Sequence, residues 1–248
     1  MKVFYLFSET SNPVHEGVRA HVKKLPHATK RYCLDNFIAT FPTADITLMV
    51  DGVIDGTLDY LKTVVDKHPN VSLKKIEAGC TGKAFRAIFD EIVKLPDDDE
   101  AVMIQEDDYL YLEGSERAIL DALVYGDYVT GYQHPDKWWL PSRGGNPYVE
   151  QENVSEVTRI VQCPTRFWMI VNSTTGTFAS TVGIIKADYA EWADATSERD
   201  AKDFDTFIYL RNEKSRTVLQ PIPTLSTHVM TSYLSSLVGT GVESWDDV

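Results

Sequence analysis

Glu106, Asp107 and Asp108 follow the apolar run Ala101-Val102-Met103-Ile104, with Gln105 between and Tyr109-Leu110-Tyr111 after. Three adjacent carboxylates flanked by apolar residues sit where a buried strand meets solvent. Desolvating them together is costly unless a cation neutralises them. A hard divalent ion bound through oxygen does so and can hold a phosphate as well. The pattern points to an enzyme acting on a nucleotide-linked or phosphorylated donor. The competing reading, a solvated acidic face, is opposed by the apolar neighbours on both sides.

The elements around the triplet alternate in type. Val3 to Phe7 reads as a buried strand, and Lys30 to Phe41 as a helix that stops before Pro42. Asp45 to Val50 reads as a strand, Thr57 to Lys67 as a helix with Leu58, Leu61, Val64 and Val65 on one face, and Val71 to Ile76 as a strand. Lys83 to Lys94 is helical in pattern and Glu100 to Gln105 strand-like. Such alternation implies βαβ crossovers and a largely parallel sheet, with ligands outside the carboxyl ends of the strands. Further on, Glu116 to Val124 reads as a helix and Asp127 to Gly131 as a short strand. A long segment from Gln133 to about Glu152 then carries Pro135, Pro141, Pro147, Gly144-Gly145 and the pair Trp138-Trp139. Loops of that length are functional or disordered, and adjacent tryptophans argue for function. Strands are expected at Val157 to Gln162, Phe167 to Val171 and Phe178 to Ile185, helices around Tyr189 to Ala195 and Asp203 to Asn212, and a last strand near Val218.

The 248 residues carry a formal net charge of −13, with 43% hydrophobic and 25% charged residues. This balance suits a soluble globular protein and argues against a surface that coats nucleic acid. Cys33, Cys80 and Cys163 form no CxxC pair and read as reduced thiols. No segment has the form of a secretory signal or a membrane span, so an intracellular, cytoplasmic protein is expected.

On the acidic triplet, the order of elements before it, and Ser226-Thr227-His228 followed by Tyr233-Leu234-Ser235, the chain resembles the nucleotide-sugar-dependent glycosyltransferases of the GT-A fold. The likeness is nearest to small single-domain enzymes, including some from large DNA viruses and phages. Glu106-Asp107-Asp108 takes the place of that family's Asp-x-Asp motif, with Glu in first position. The resemblance implies one α/β domain over residues 1–248, a mixed, mainly parallel sheet flanked by helices. Residues 1–112 would form the nucleotide-sugar half and 113–248 a loop-rich acceptor half. It further implies transfer of a sugar from a nucleoside diphosphate-sugar, foremost a UDP-sugar, to a hydroxyl of a glycan or small acceptor. The metal would be Mn²⁺ or Mg²⁺, held by Glu106, Asp108 and His228 with Asp107 at the donor. For a host-infecting source, the host cytoplasm would be the site of action.

Other residues take roles from the same resemblance. Phe7 and Ser8 end the first strand where the nucleoside is contacted, and Asp51 touches base or ribose, although Asp51-Gly52 also reads as an ordinary turn. Lys83 and Arg86 follow Gly79-Cys80-Thr81-Gly82, a segment without Walker spacing, and approach the nucleotide. Arg31 and Asn36 lie on the first helix, where surface or capping roles serve equally well. Trp138, Trp139 and Tyr148 offer flat apolar faces for the acceptor's sugar ring, with one Trp in the core as the alternative. Asp205, with Asp203 second, is the expected carboxylate base, which implies inversion, although acids there also cap a helix. A lone His such as His228 is commonly structural. Two other readings stay open. One is sugar-phosphate nucleotidyl transfer, disfavoured because Ser8 to Gly17 lacks a glycine cluster and Lys. The other is a non-catalytic carbohydrate-binding protein.

Overall fold

The computed structural model describes residues 1–9, 24–138, 142 and 159–248. Trp139, Tyr148 and the Gly144-Gly145 pair lie outside the described residues. Strand β1 (Lys2–Ser8) pairs in parallel with β2 (Asp45–Asp51) and with β4 (Ala101–Glu106), and β2 pairs with β3 (Val71–Ile76). The connecting helices are α1 (Lys30–Thr40), α2 (Asp55–Lys67) and α3 (Thr81–Ile92). The register sets Ser8 opposite Asp51 and Leu6 opposite Glu106, so three strands end at one level.

Beyond β4 the sheet becomes mixed. Its full order is β3-β2-β1-β4-β9-β6-β10-β8-β7, where β6 is Tyr128–Val129, β7 Ile160–Gln162, β8 Phe167–Val171, β9 Phe178–Thr181 and β10 Val218–Ile222. A separate two-stranded ribbon pairs β5 (Tyr109–Tyr111) with β11 (Ser226–His228). The remaining helices are α4 (Ser115–Ala122), α5 (Val182–Ala187), α6 (Tyr189–Ala195) and α7 (Asp203–Lys214). The apolar run Phe178 to Ile185, expected to be one strand, is not one. The chain instead turns into α5 at Val182, because the Thr181 hydroxyl caps the helix by accepting from Ile184 N–H. The β-branched residues there masked a helix start.

Period-two alternation along β1 divides the core. Val3, Tyr5 and Phe7 pack with Leu34, Phe37 and Ile38 of α1 and with Leu61 and Val64 of α2. Phe4 and Leu6 face the other side, against Phe85, Ile88 and Phe89 of α3, Trp192 of α6 and Phe207 of α7. Phe7 is 1% exposed. It belongs to the first of these clusters rather than to a nucleoside site, because alternation turns it away from the face that Leu6 and Ser8 share. A third cluster joins Leu110, Val229, Cys33 and Trp245, tying the C-terminal segment to the β5–β11 ribbon.

On the far side, Asp188 is fully buried and is held by Arg216 through both oxygens (2.8 and 3.0 Å), by Lys214 at 3.2 Å and by the Tyr128 hydroxyl at 2.8 Å. Trp192 Nε1 donates to that hydroxyl at 3.0 Å. This network locks α6 and α7 against the sheet. Among the described residues no helix is long and apolar enough to cross a membrane.

Candidate active site

A cavity of about 850 Å³ opens where β1, β2 and β4 end. Ser8, Asp51 and the whole triplet Glu106-Asp107-Asp108 line it, with Gly79 to Thr81 at the start of α3. Tyr132, His134, His228 and Tyr233 form another part of the wall, and Arg199, Asp200 and Asp203 a third.

The three acids diverge. Asp107 turns toward α1, where its Oδ2 accepts from Ser8 N–H at 2.8 Å and from Lys30 Nζ at 2.9 Å. Lys30 Nζ also donates to the Ser8 carbonyl. Burial raises the Asp107 carboxyl above its ordinary pKa; Lys30 opposes this and Asp108 adds to it. Asp108 turns the other way, with Oδ2 3.1 Å from His228 Nε2. Burial alone would raise its pKa too, but the charge and hydrogen bond of His228, aided by Lys24 and Lys30, hold it well below the carboxylate range. Neighbouring acids are thus driven apart, which keeps Asp108 ionised. Glu106 lies toward Gly176 and Phe85: a Cβ on Gly176 would stand 3.2 Å from Glu106 Oε2 and 2.7 Å from Phe85 Cζ.

The three-ligand metal set expected from the sequence is therefore not assembled. Asp108 and His228 meet, while among the described residues no three His, Cys, Asp or Glu side chains surround a common point. The cause is geometric, since Glu106 still obeys the alternation of β4 and Asp108 has left the strand. A carboxylate and an imidazole nonetheless form a donor pair that suits a transition cation such as Mn²⁺ once phosphate oxygens complete the shell.

Other expected residues separate. Asp51 lines the cavity, but its two oxygens accept from Ala78 N–H at 3.0 Å and Gly79 N–H at 2.9 Å, so it closes the β3–α3 turn. Lys83 and Arg86 are not among the lining residues; Arg86 is engaged with Thr196 and Ala193 instead. Asp203 lines the cavity, and burial pushes its carboxyl up to about 6, with Asp205 adding to the rise and the backbone N–H groups of Phe204 and of Asp203 itself opposing it. Asp205 is exposed and is not among the lining residues, because two positions along a helix start turn it to solvent. Trp138 is 47% exposed. It is absent from the cavity wall, which carries Tyr233 and His134 instead.

Lys30, which holds Asp107 in the cavity wall, belongs to none of the motifs read from the sequence. Its position offered a signal: a lysine at the first position of a helix capped by Thr29 stands at the wrong end of the helix dipole. Such a placement calls for a negative partner, here Asp107. Arg31 beside it packs over Tyr60 and donates to Thr57 Oγ1 at 3.2 Å, a structural role. Asn36 also proves structural, gripping the backbone of Tyr111.

No protein-family model and no curated protein matches the sequence. Solved structures match in fold. The mannosyltransferase PcManGT from Pyrobaculum calidifontis, in complex with GDP-Man and Mn²⁺, superposes with a TM-score of 0.52 at 12% identity, over 89% of this chain and 54% of that one. GalNAc-T7, with UDP, GalNAc and Mn²⁺, gives 0.52 at 10% identity, over 95% and 45%. The chain spans about half the length of either protein. A 4-diphosphocytidyl-2C-methyl-D-erythritol synthase from Anaerococcus prevotii reaches 0.48 at 11% identity, over 99% and 92%, too low to carry an argument. At these identities the likeness establishes the fold, the mixed α/β arrangement of the GT-A glycosyltransferases, and nothing finer.

Proposed function

We propose that the chain is a metal-dependent glycosyltransferase that binds a nucleoside diphosphate-sugar, foremost a UDP-sugar, in the cavity at the ends of β1, β2 and β4. The observation that carries this reading is the Asp108–His228 pair, an ionised carboxylate against an imidazole facing an 850 Å³ cavity that lysines also line. Asp108 and His228 would hold Mn²⁺ or Mg²⁺, which when bound supplies positive charge to the departing diphosphate. Lys24 and Lys30 line the same cavity and add positive charge near the phosphates. Lys30 also fixes the end of β1 against Asp107, so the donor meets a preformed wall.

Asp203 takes the acceptor hydroxyl's proton as that oxygen attacks the anomeric carbon. A carboxyl shifted to about 6 is a stronger base than an ordinary aspartate yet remains ionised at neutral pH. Direct attack of this kind inverts the anomeric centre. Tyr233 and His134, whose rings lie 5.6 Å apart in the cavity wall, offer the acceptor a partly apolar seat.

The test is a thermal-shift screen of nucleoside diphosphates with and without Mn²⁺. A ligand at about 100 times its Kd stabilises the folded state by about 2.7 kcal/mol. A rise in Tm that needs both nucleotide and Mn²⁺ is expected, with UDP foremost. No shift with any nucleoside diphosphate in the presence of Mn²⁺ would sink the reading.

A further inference from the structure

Gly82 and Arg86, one turn apart on α3, grip a single stretch of chain. Arg86 Nε donates to Thr196 Oγ1 at 3.2 Å, its Nη2 donates to the Ala193 carbonyl, and its guanidinium carbon lies 5.9 Å from the Tyr189 ring centre. Gly82 N–H donates to the Arg199 carbonyl at 2.8 Å. A Cβ at Gly82 would overlap the Glu198 carbonyl oxygen and stand 3.2 Å from that of Arg199, so the approach requires glycine. Both obstructing atoms are backbone, which no rotamer change can move aside.

The stretch held in this way runs into the cavity wall formed by Arg199, Asp200, Ala201 and Asp203. Lys202 N–H donates to the Ala195 carbonyl at 3.0 Å, and the Thr206 hydroxyl donates to the Lys202 carbonyl at 2.7 Å, carrying the constraint into the first turn of α7. On the other side of the seam, Gly79, Cys80 and Thr81 line the cavity immediately before Gly82. Two walls therefore meet at one glycine.

We infer that Gly82 and Arg86 are positioning residues that set the distance between the α3 wall of the cavity and the Asp203 carboxylate. The role of Asp203 in this statement rests on the glycosyltransferase reading; the seam itself does not. Neither residue touches a substrate. Both act through the 193–203 stretch, which gives Arg86 a task other than the nucleotide contact expected from sequence. A misplacement of about 1 Å at a reacting group can cost about 100-fold in rate.

The experiment compares Gly82→Ala, Arg86→Ala and Arg86→Lys with the wild type, using Gly56→Ala, where a Cβ meets nothing within 4 Å, as the control. Hydrogen exchange across residues 196–203 reads the seam without reference to activity, and kcat for hydrolysis of UDP- and GDP-sugars with Mn²⁺ reads its consequence. Binding of UDP and GDP is measured alongside. Faster exchange confined to 196–203 is expected in Gly82→Ala and Arg86→Ala. It should accompany a fall in kcat of about tenfold or more and nucleotide Kd values within about threefold of wild type, with Arg86→Lys between. Unchanged exchange, or unchanged kcat in both alanine variants, overturns the inference, as does a loss of nucleotide affinity that alone accounts for the lower rate. Faster exchange in a protein whose wild type hydrolyses no donor and binds no nucleotide removes the glycosyltransferase reading, and with it the role assigned to the seam.

Discussion

His228 reaches Asp108 because β11 pairs with β5 in a register that sets His228 opposite Tyr109, one residue beyond the acid. Val229 N–H donates to the Asp108 carbonyl at 3.0 Å, so backbone and side chain of Asp108 are both tied to this ribbon. Asp108→Asn and His228→Ala are each expected to lower Mn²⁺-dependent donor hydrolysis by about 100-fold and to raise the Mn²⁺ needed for half-maximal rate. A Mn²⁺ titration at fixed donor concentration checks this. Wild-type rates with unchanged Mn²⁺ dependence in either variant would remove the metal from the proposal.

The acidic triplet and the alternation of elements before it were legible because period-two and helical apolar spacing both survive in β1 to β4 and α1 to α3. Expected and observed bounds there differ by a residue or two, as with Lys83 to Lys94 against Thr81–Ile92. What escaped was the direction of side chains at strand ends. Glu106, Asp107 and Asp108 are adjacent in sequence yet face α3, α1 and β11 respectively, and only the tertiary partners decide that. The ribbon strands β5 and β11 were invisible because three-residue strands carry too little pattern. The start of α7 at Asp203 was legible, but which of Asp203 and Asp205 faces the cavity depended on how the helix packs against the rest of the fold.

Asp203→Asn should lower kcat/KM by about 100-fold or more, and wild-type activity should rise with pH through about 6, where the base ionises. Stability should move the opposite way. The folded-state pKa of Asp203 lies above that of the unfolded chain, so the folded protein holds the extra proton between about 4 and about 6. Its contribution to stability is intact below that window and is lost as pH rises through it. The asparagine variant is therefore expected to have a higher Tm than wild type at pH of about 7.5, with the difference vanishing below about 4. Melting curves of both proteins across that range settle the sign.

Lys30→Met removes the cation from a carboxylate that burial already pushes toward protonation. A loss of about 1–3 kcal/mol is expected from denaturant unfolding, tempered by the partial exposure of Lys30. Adding Asp107→Asn should recover part of it, because the uncompensated charge is then gone. Additive losses in this double-mutant cycle would mean that the two side chains are not coupled.

Asp188→Ala leaves Arg216 and Lys214 without their shared buried acceptor and the Tyr128 hydroxyl without its own. It is expected to cost about 3–5 kcal/mol. Asp188 is not in contact with the Asp108–His228 pair, so any Mn²⁺ requirement of the folded fraction should match wild type. A variant as stable as wild type would show that the network is dispensable.

Asn36 holds Tyr111 at two points, its Nδ2 donating to the Tyr111 carbonyl at 3.1 Å and its Oδ1 accepting from the Tyr111 N–H at 2.8 Å. An amide side chain here imitates the neighbour that a strand would otherwise have. The free flank of β5 is thereby plugged at Tyr111, and an intruding polypeptide finds no open donor–acceptor pair at that residue on which to template itself. The β5 flank of the ribbon is thus closed at this residue by a side chain rather than by a further strand.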